Sequence, residues 1–289
     1  MKKILWLVAA FSLFSCNSKN DTNTINEIAE LPNDLKEISG IAYSNNLIYS
    51  IEDSGNENQV TVLDTLGAVT KTIKISNTTN IDWEDLTFDT AGNLYVGDFG
   101  NNKNTRKDLA IYKIDKSNLN SENAEVAYKI SFDYPEQVDF PPKKKNLMFD
   151  VEAFFEYNNY FYLFTKNRSK GFNGNSYIYK FPNAAGHHKA RLLKTITTCS
   201  DYQNCAITSA AISTDGSKFV LLSHSKIWLF ENYSQDNLAD GKMMELNLNH
   251  FSQKEAVCFK NNDTLLIADE KEKQTGGNLY QVSLQSLKK

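Results

Sequence analysis

The sequence predicts an all-β fold, a β-propeller of five blades closed by an N-terminal strand. Three observations carry this: a strand, polar turn, strand unit recurs five times, the shorter repeats are roughly 45 to 50 residues long, and helical periodicity is missing from them. The copies are EISGIAYSNNLIYSIEDSGN from Glu37, NIDWEDLTFDTAGNLYVGDFGNN from Asn80, DVEAFFEYNNYFYLFTKN from Asp150, ITSAAISTDGSKFVLLSHSK from Ile207 and KEAVCFKNNDTLLIADEK from Lys254. In each, apolar residues alternate through a short strand, a polar turn interrupts them, and a second strand returns.

The elements follow in chain order. Residues 1–15 carry Lys2 and Lys3 ahead of the apolar run ILWLVAAFSLF, the pattern of a secretory signal and too short for a membrane span. The signal ends Leu13-Phe14-Ser15-Cys16, which resembles a bacterial lipobox and implies lipidation of Cys16. Residues 16–24 then form a polar tether, and 25–289 the folded domain. Asn17 is not the aspartate that retains such proteins on the inner membrane, so the expected location is the outer membrane, with the lipid as the membrane contact.

Ile25 to Leu31 is an unpaired strand-like segment. Gln59 to Leu63 and Val69 to Ile75 complete the first blade, and Leu109 to Ile114 and Glu125 to Phe132 the second. Tyr177 to Phe181 and Arg191 to Ile196 complete the third, and Lys226 to Phe230 and Lys242 to Leu248 the fourth. The fifth has a third strand at Asn278 to Leu284 and then ends, so Ile25 to Leu31 is expected to supply its outer strand and remove an exposed edge. A sixth blade would need a degenerate repeat in residues 133–149, whose prolines argue against it.

Removing Lys2 and Lys3 from 31 basic residues against 35 acidic ones deepens the formal net charge from −4 to −6. An acidic surface argues against a nucleic-acid partner. Cys199 and Cys205 bracket a short polar loop in an exported chain and are expected to form a disulfide, whereas Cys258 sits in an apolar strand as a buried free thiol.

At one position in each copy stands a serine or a glutamate: Ser39, Glu84, Glu152, Ser209 and Glu255, spaced 45, 68, 57 and 46 residues apart. On inner strands of a propeller these would form an axial ring. Three carboxylates about 5 Å apart repel by about 3 kcal/mol per pair at an effective dielectric near 20, and a bound cation relieves this. Oxygen ligands alone suit Ca²⁺ over Mg²⁺ or zinc. The other reading is that these residues only cap the inner strands.

The ring resembles that of the calcium-activated nucleotidases, or apyrases, in which the blades contribute Ser, Glu, Glu, Ser and Glu in that order. Glu37-Ile38-Ser39 and the acidic turn Ile51-Glu52-Asp53-Ser54-Gly55 resemble two further motifs of that family. The resemblance implies a five-bladed propeller with an axial calcium. The family has a basic residue where this chain has Ser54, which weakens phosphate binding there. EISG with DWEDL also resembles the SdiA-regulated bacterial propellers.

The ends of the second strands should share the face of the ring. They carry the candidate catalytic residues Asp53, Asp98, Lys166, Arg168 and Glu270, together with Asn167, His224 and Asp269. The insertion DYPEQVDFPPKKKN should bring Lys143, Lys144 and Lys145 to that face, either as an anion site or as a solvated loop. There is no GxxxxGK[ST] or GxSxG motif. The expected function is a monomeric, lipid-anchored binding or scaffold module with a structural calcium and a small phosphorylated ligand or a protein partner. The alternative is a calcium-dependent nucleoside di- or triphosphate hydrolase, and a lactonase or esterase is a third reading.

Overall fold

The computed structural model describes residues 25–234 and 237–289. The expected signal, the tether and Cys16 lie outside these residues. Strand β1 (Asn26–Glu30) comes first. The first unit holds β2 (Ile38–Ser44), β3 (Leu47–Glu52), β4 (Gln59–Leu63) and β5 (Val69–Ser76), and the second β6 (Trp83–Phe88), β7 (Leu94–Asp98), β8 (Ala110–Ile114) and β9 (Asn123–Asp133). The third is β10 (Asp150–Tyr157), β11 (Tyr160–Lys166), β12 (Asn175–Pro182) and β14 (Arg191–Thr197), with a short β13 (Gly186–Lys189) between the last two. The fourth is β15 (Ser209–Ile212), β16 (Lys218–Leu222), β17 (Lys226–Glu231) and β18 (Lys242–Asn247). Strands β19 (Lys254–Phe259), β20 (Thr264–Asp269) and β21 (Asn278–Ser283) end the chain's sheets.

Within each unit consecutive strands pair antiparallel, so each is a meander. β1 pairs antiparallel with β21, giving the last sheet its fourth strand from the other end of the chain. The first strands β2, β6, β10, β15 and β19 contact one another in that cyclic order, and β19 returns to β2. The units therefore close into a ring.

Local sequence explains the hairpins. Asn45 and Asn46 between β2 and β3, and Asn158 and Asn159 between β10 and β11, all have positive φ, between 52° and 61°. Two such residues in succession make the turn whose twist matches the flanking strands, and asparagine tolerates that backbone better than most residues. Inner strands such as β10 and β19 are near-continuous buried runs because both of their faces are covered, whereas outer strands such as β9 and β18 bury only some of their residues. In β20, Leu265 and Ile267 pack towards the fourth unit while Leu266 and Ala268 pack towards the first. Each interface between neighbouring units holds its own apolar cluster, including the closing one, where Ile38, Ile41 and Ile48 meet Ala256, Leu266 and Leu279.

Two features were not legible in the pattern. The outer strands β5 and β9 pair in parallel, Lys74 opposite Asn123 and Ser76 opposite Glu125, which fuses the first two units into one sheet. β13 adds to the other part of β9, also in parallel. Both cover a stretch of edge that would otherwise be open for pairing with another chain.

The Cys199–Cys205 disulfide is formed, with the Cα atoms 5.5 Å apart, and Cys258 is free and buried. Between the two cysteines a single turn, α1 (Tyr202–Cys205), is capped by Asp201, whose side chain accepts from the Gln203 and Asn204 amides. The closed loop is short, so replacing both cysteines by serine should lower stability by about 2 to 3 kcal/mol at most, measured by urea unfolding. A larger loss would mean that the bridge holds more than its own loop.

Candidate functional site at one end of the axis

The inner strands share a deviation that places the ring residues. The antiparallel register skips Ser39 between Ile38 and Gly40, Glu84 between Trp83 and Asp85, Glu152 between Val151 and Ala153, and Glu255 between Lys254 and Ala256. In the fourth unit Thr208 donates its amide to the Leu222 carbonyl while Ser209 is paired with the same residue. The four skips are β-bulges, each of which leaves one residue unpaired and re-aims its side chain, whereas Ser209 keeps its pairing. A carboxylate can therefore stand at the start of a buried strand.

The two serines are used within the protein. Ser39 Oγ donates to the Trp83 carbonyl at 2.9 Å. Ser209 Oγ donates to Asp85 Oδ2 at 3.2 Å and accepts from the Val257 amide at 3.2 Å. Asp85, which follows Glu84, is fully buried and also accepts from the amides of Leu86, Phe154 and Ala210 at 2.9, 3.3 and 3.4 Å. Burial pushes its carboxyl well above the usual range, against the pull of those donors. The equivalent positions in the other units are Gly40, Ala153, Ala210 and Ala256. A Cβ on Gly40 would lie 2.8 Å from Asp85 Cα, so only glycine fits beside it. Asp85 thus ties β6 to β10 and β15, Ser209 extends the tie to β19, and together they form a plug across the axis.

Above the plug the acids divide into two groups. On one side Lys166 Nζ donates to Glu152 Oε2 at 2.6 Å and lies 3.6 Å from Glu255 Oε2, while His224 Nε2 lies 3.1 Å from Glu255 Oε1. Arg168 donates to Asp150 Oδ2 at 2.6 Å and to Glu152, and its other arm reaches the Tyr202 hydroxyl at 2.8 Å. Burial would raise Glu152, but Lys166 and Arg168 override it and hold this carboxyl at about 2. Asp150 goes the other way, to about 7, through burial and the charge of Glu152, opposed by Arg168. Lys166 is itself raised, burial being outweighed by Glu152 and Glu255.

On the other side no ammonium or guanidinium makes a direct ion pair with the acids among the described residues. Glu84 Oε1 and Asp82 Oδ2 both lie against Gly100, where a Cβ would sit 2.0 and 2.4 Å from them. Burial raises Glu84 well above the usual range, with Glu152, Asp82 and Asp150 adding to it and Lys166 opposing. Burial also raises Asp82, opposed by Arg106 and by a hydrogen bond from Ser54. Asp53 is pushed to about 7 by burial, Glu37 and Asp82, and Glu270 to about 8 by burial, Glu255 and Asp53.

Of the other residues singled out in the sequence, Asp98 is occupied by Arg106 at 2.9 Å, and Asp269 accepts from the Asn278 amide and the Tyr280 hydroxyl at 2.7 and 2.8 Å. Asn167 donates to Asn173 in its own loop. Lys143, Lys144 and Lys145 are exposed, but their loop is tied to the mouth, since the Arg168 amide donates to the Leu147 carbonyl and the Lys170 amide to that of Lys144. Sequence reasoning missed Asp82 and Asp85. The signal for Asp85 was its being the one acid at a position otherwise glycine or alanine.

No protein-family model matches the chain, and no curated protein matches it. Among solved structures, one titled as a nidogen/laminin complex aligns over 81% of this chain and 72% of its own, at 12% identity and a TM-score of 0.46. The PQQ-bound aldose sugar dehydrogenase of Streptomyces coelicolor aligns over 89% and 97%, at 9% identity and a TM-score of 0.51. The fold is a β-propeller. At such identity the likeness concerns the path of the propeller chain alone, and the cofactor and substrate in that title belong to that protein.

Calcium can be tested against the donors present. The hydroxyls of Ser39 and Ser209 are engaged within the protein, and the Lys166 ammonium already lies between Glu152 and Glu255, so these four residues do not fit as ligands in this arrangement. Among the described residues no group of three or more His, Cys, Asp and Glu is arranged as a metal cluster. Glu84 and Asp82, two adjacent acids turned to the same glycine, do fit an oxygen-seeking cation.

Three expectations follow from this geometry. Asp85→Ala leaves four donors without an acceptor and should cost about 3 to 5 kcal/mol in urea unfolding; a loss under about 1 kcal/mol would contradict the plug. Lys166→Met leaves Glu152 and Glu255 without their shared ammonium and should cost a similar amount, with Glu152→Gln in the same chain restoring part of it. The pH dependence of melting should have two limbs. Glu152, depressed to about 2 from 4.5, contributes stability present above about pH 4.5 and lost as pH falls towards 2. Asp53, Asp150 and Glu270, raised to about 7, 7 and 8, contribute stability that is present at low pH and lost as pH rises from about 4 to 8. Calorimetry should find Glu152→Gln flattening the acid limb and Glu270→Gln the alkaline one.

Proposed function

We propose that the protein is a lipid-anchored, extracytoplasmic propeller of five blades that acts as a binding module, with calcium in the acidic half of its axial mouth. The blade count is supported by the five meanders with an apolar cluster at each interface. The single observation that carries the functional reading is the split of charge at the mouth: Lys166 and Arg168 are engaged by Glu152, Glu255 and Asp150, and the acids Glu84 and Asp82 are not directly paired. Phosphoryl transfer needs basic groups free to take up charge on the leaving phosphate, and here those groups already serve buried carboxylates. Glu84 and Asp82 would hold the cation, with Asp53 close enough to feel the charge of Asp82. The cation would supply charge neutralisation and a coordination point for an oxygen of the ligand.

The test is thermal melting with and without millimolar Ca²⁺. Calcium should raise the melting temperature, more at pH 8 than at pH 5 because carboxyl protons compete with the metal, and Glu84→Gln or Asp82→Asn should remove most of the shift. Melting indifferent to calcium at both pH values defeats the calcium assignment. Calcium-dependent phosphate release from UDP, GDP or ADP, lost in Lys166→Ala, would favour the hydrolase over the binding module. The anchor is tested separately: Cys16→Ser should move the protein from the membrane to the soluble fraction, because the acyl chains contribute about 0.8 kcal/mol per buried CH₂.

A further inference from the structure

The plug leaves a second chamber at the opposite end of the axis. It is a cavity of ≈ 570 Å³ lined by the far ends of all the inner strands and the turns after β6, β10 and β15, with Leu86, Ala210 and Val257 next to the hydrogen bonds of the plug. No residue assigned to the first mouth takes part in it. Its walls combine aromatic rings, Tyr43, Phe88 and Tyr157, with carboxylates, Asp89 and Glu156, and with Asp215 at the rim. Among the described residues no lysine, arginine or histidine lines it. This composition separates it from a polar solvent funnel, where charges of both signs are usual.

The groups that could make contact are held in place. The Tyr43 hydroxyl donates to Asn46 Oδ1 at 2.8 Å, and Phe88 stands edge-on to Tyr49 with ring centroids 5.1 Å apart. Gly216, at φ +65°, lies against Tyr157; a Cβ there would come within 2.6 Å of the ring. Glu156 accepts from the Asn159 amide at 2.7 Å, and Asp89 from the Asn93 amide and the Tyr95 hydroxyl at 2.8 and 3.0 Å. Rings held this way lose little freedom when a ligand arrives, which favours binding. The free thiol residue Cys258 is 5% exposed, lines the same cavity and packs in the apolar cluster between the last and first units.

We infer that this chamber binds a small organic cation, an alkylammonium group received among Tyr43, Phe88 and Tyr157, which line it, and neutralised by Glu156 and Asp89. Ring faces are negative and attract ammonium groups, most strongly where water is excluded, and carboxylates in a wall that holds no lysine, arginine or histidine add attraction of the same sign, although Lys113 and Lys218 lie behind Asp89 and Asp215. A phosphate or carboxylate ligand meets repulsion from every charged group in the wall. Glu156 is also raised to about 7, through burial first and the charge of Asp89, opposed by the Asn159 amide; a bound cation would relieve that strain on its charged form.

The probe is choline, compared with its uncharged carbon isostere 3,3-dimethylbutan-1-ol and with acetate, titrated into the full chain and followed by calorimetry and ligand-observed NMR. Choline should bind at millimolar concentration or below, the isostere at least about tenfold more weakly, and acetate not at all. Tyr157→Ala and Glu156→Gln should each weaken choline by about fivefold or more, and Phe88→Leu provides a milder variant should Tyr157→Ala fold poorly. Saturating calcium and Glu84→Gln should leave choline binding unchanged, since the plug separates the two ends. Equal affinity for the isostere, no binding of choline at tens of millimolar, or loss of choline binding in Glu84→Gln would each overturn the assignment.

Discussion

The ring depends on one buried carboxylate. Inner strands of a closed ring of sheets converge on an axis where their side chains must either fill the space or leave a pore, and four of the equivalent positions are glycine or alanine. Asp85 takes the space they leave. Its oxygens gather four donors from three strands, so it converts convergence into a cross-link that apolar packing, being non-directional, would not supply. Ser209 carries the link onward by donating to Asp85 while accepting from Val257. Asp85 and Ser209 thus lie between the strand starts at one end of the axis and the strand ends at the other.

At the first end the same strand-start bulges that free Ser39, Glu84, Glu152 and Glu255 from pairing also set up a conflict of charge. Burying several carboxylates together is costly unless cations or protons come with them. The protein resolves this on one side with Lys166 and Arg168, long chains rising from the end of β11 into Glu152, Glu255 and Asp150. On the other side it leaves Glu84 and Asp82 facing a glycine. A basic side chain committed to a buried carboxylate is a poor phosphate clamp, and an acid left without a direct partner is a ready cation ligand, so the proposed binding function rests on this asymmetry of pairing.

Much of this was written in the chain at short range. Period-two alternation, the Asn-Asn turns at residues 45–46 and 158–159, and the proximity of Cys199 to Cys205 depend on neighbours within a hairpin, and the strands lie within about two residues of where the pattern places them. The serine or glutamate at each strand start was visible as a recurrence. The cross-unit pairing of β5 with β9 was not, because a parallel contact between outer strands leaves no local signature in either.

What the sequence by itself determined is therefore the strand–turn–strand unit and the serine or glutamate that recurs at its start, since both follow from a periodicity that the backbone imposes on side-chain direction. What only the tertiary structure decided is who partners whom there. Asp85 and Ser209 are separated by 124 residues, and Glu255 meets a lysine from another sheet. Charge does not alternate with a period, and its energy is fixed by distance and burial, both of which exist only once the ring has closed.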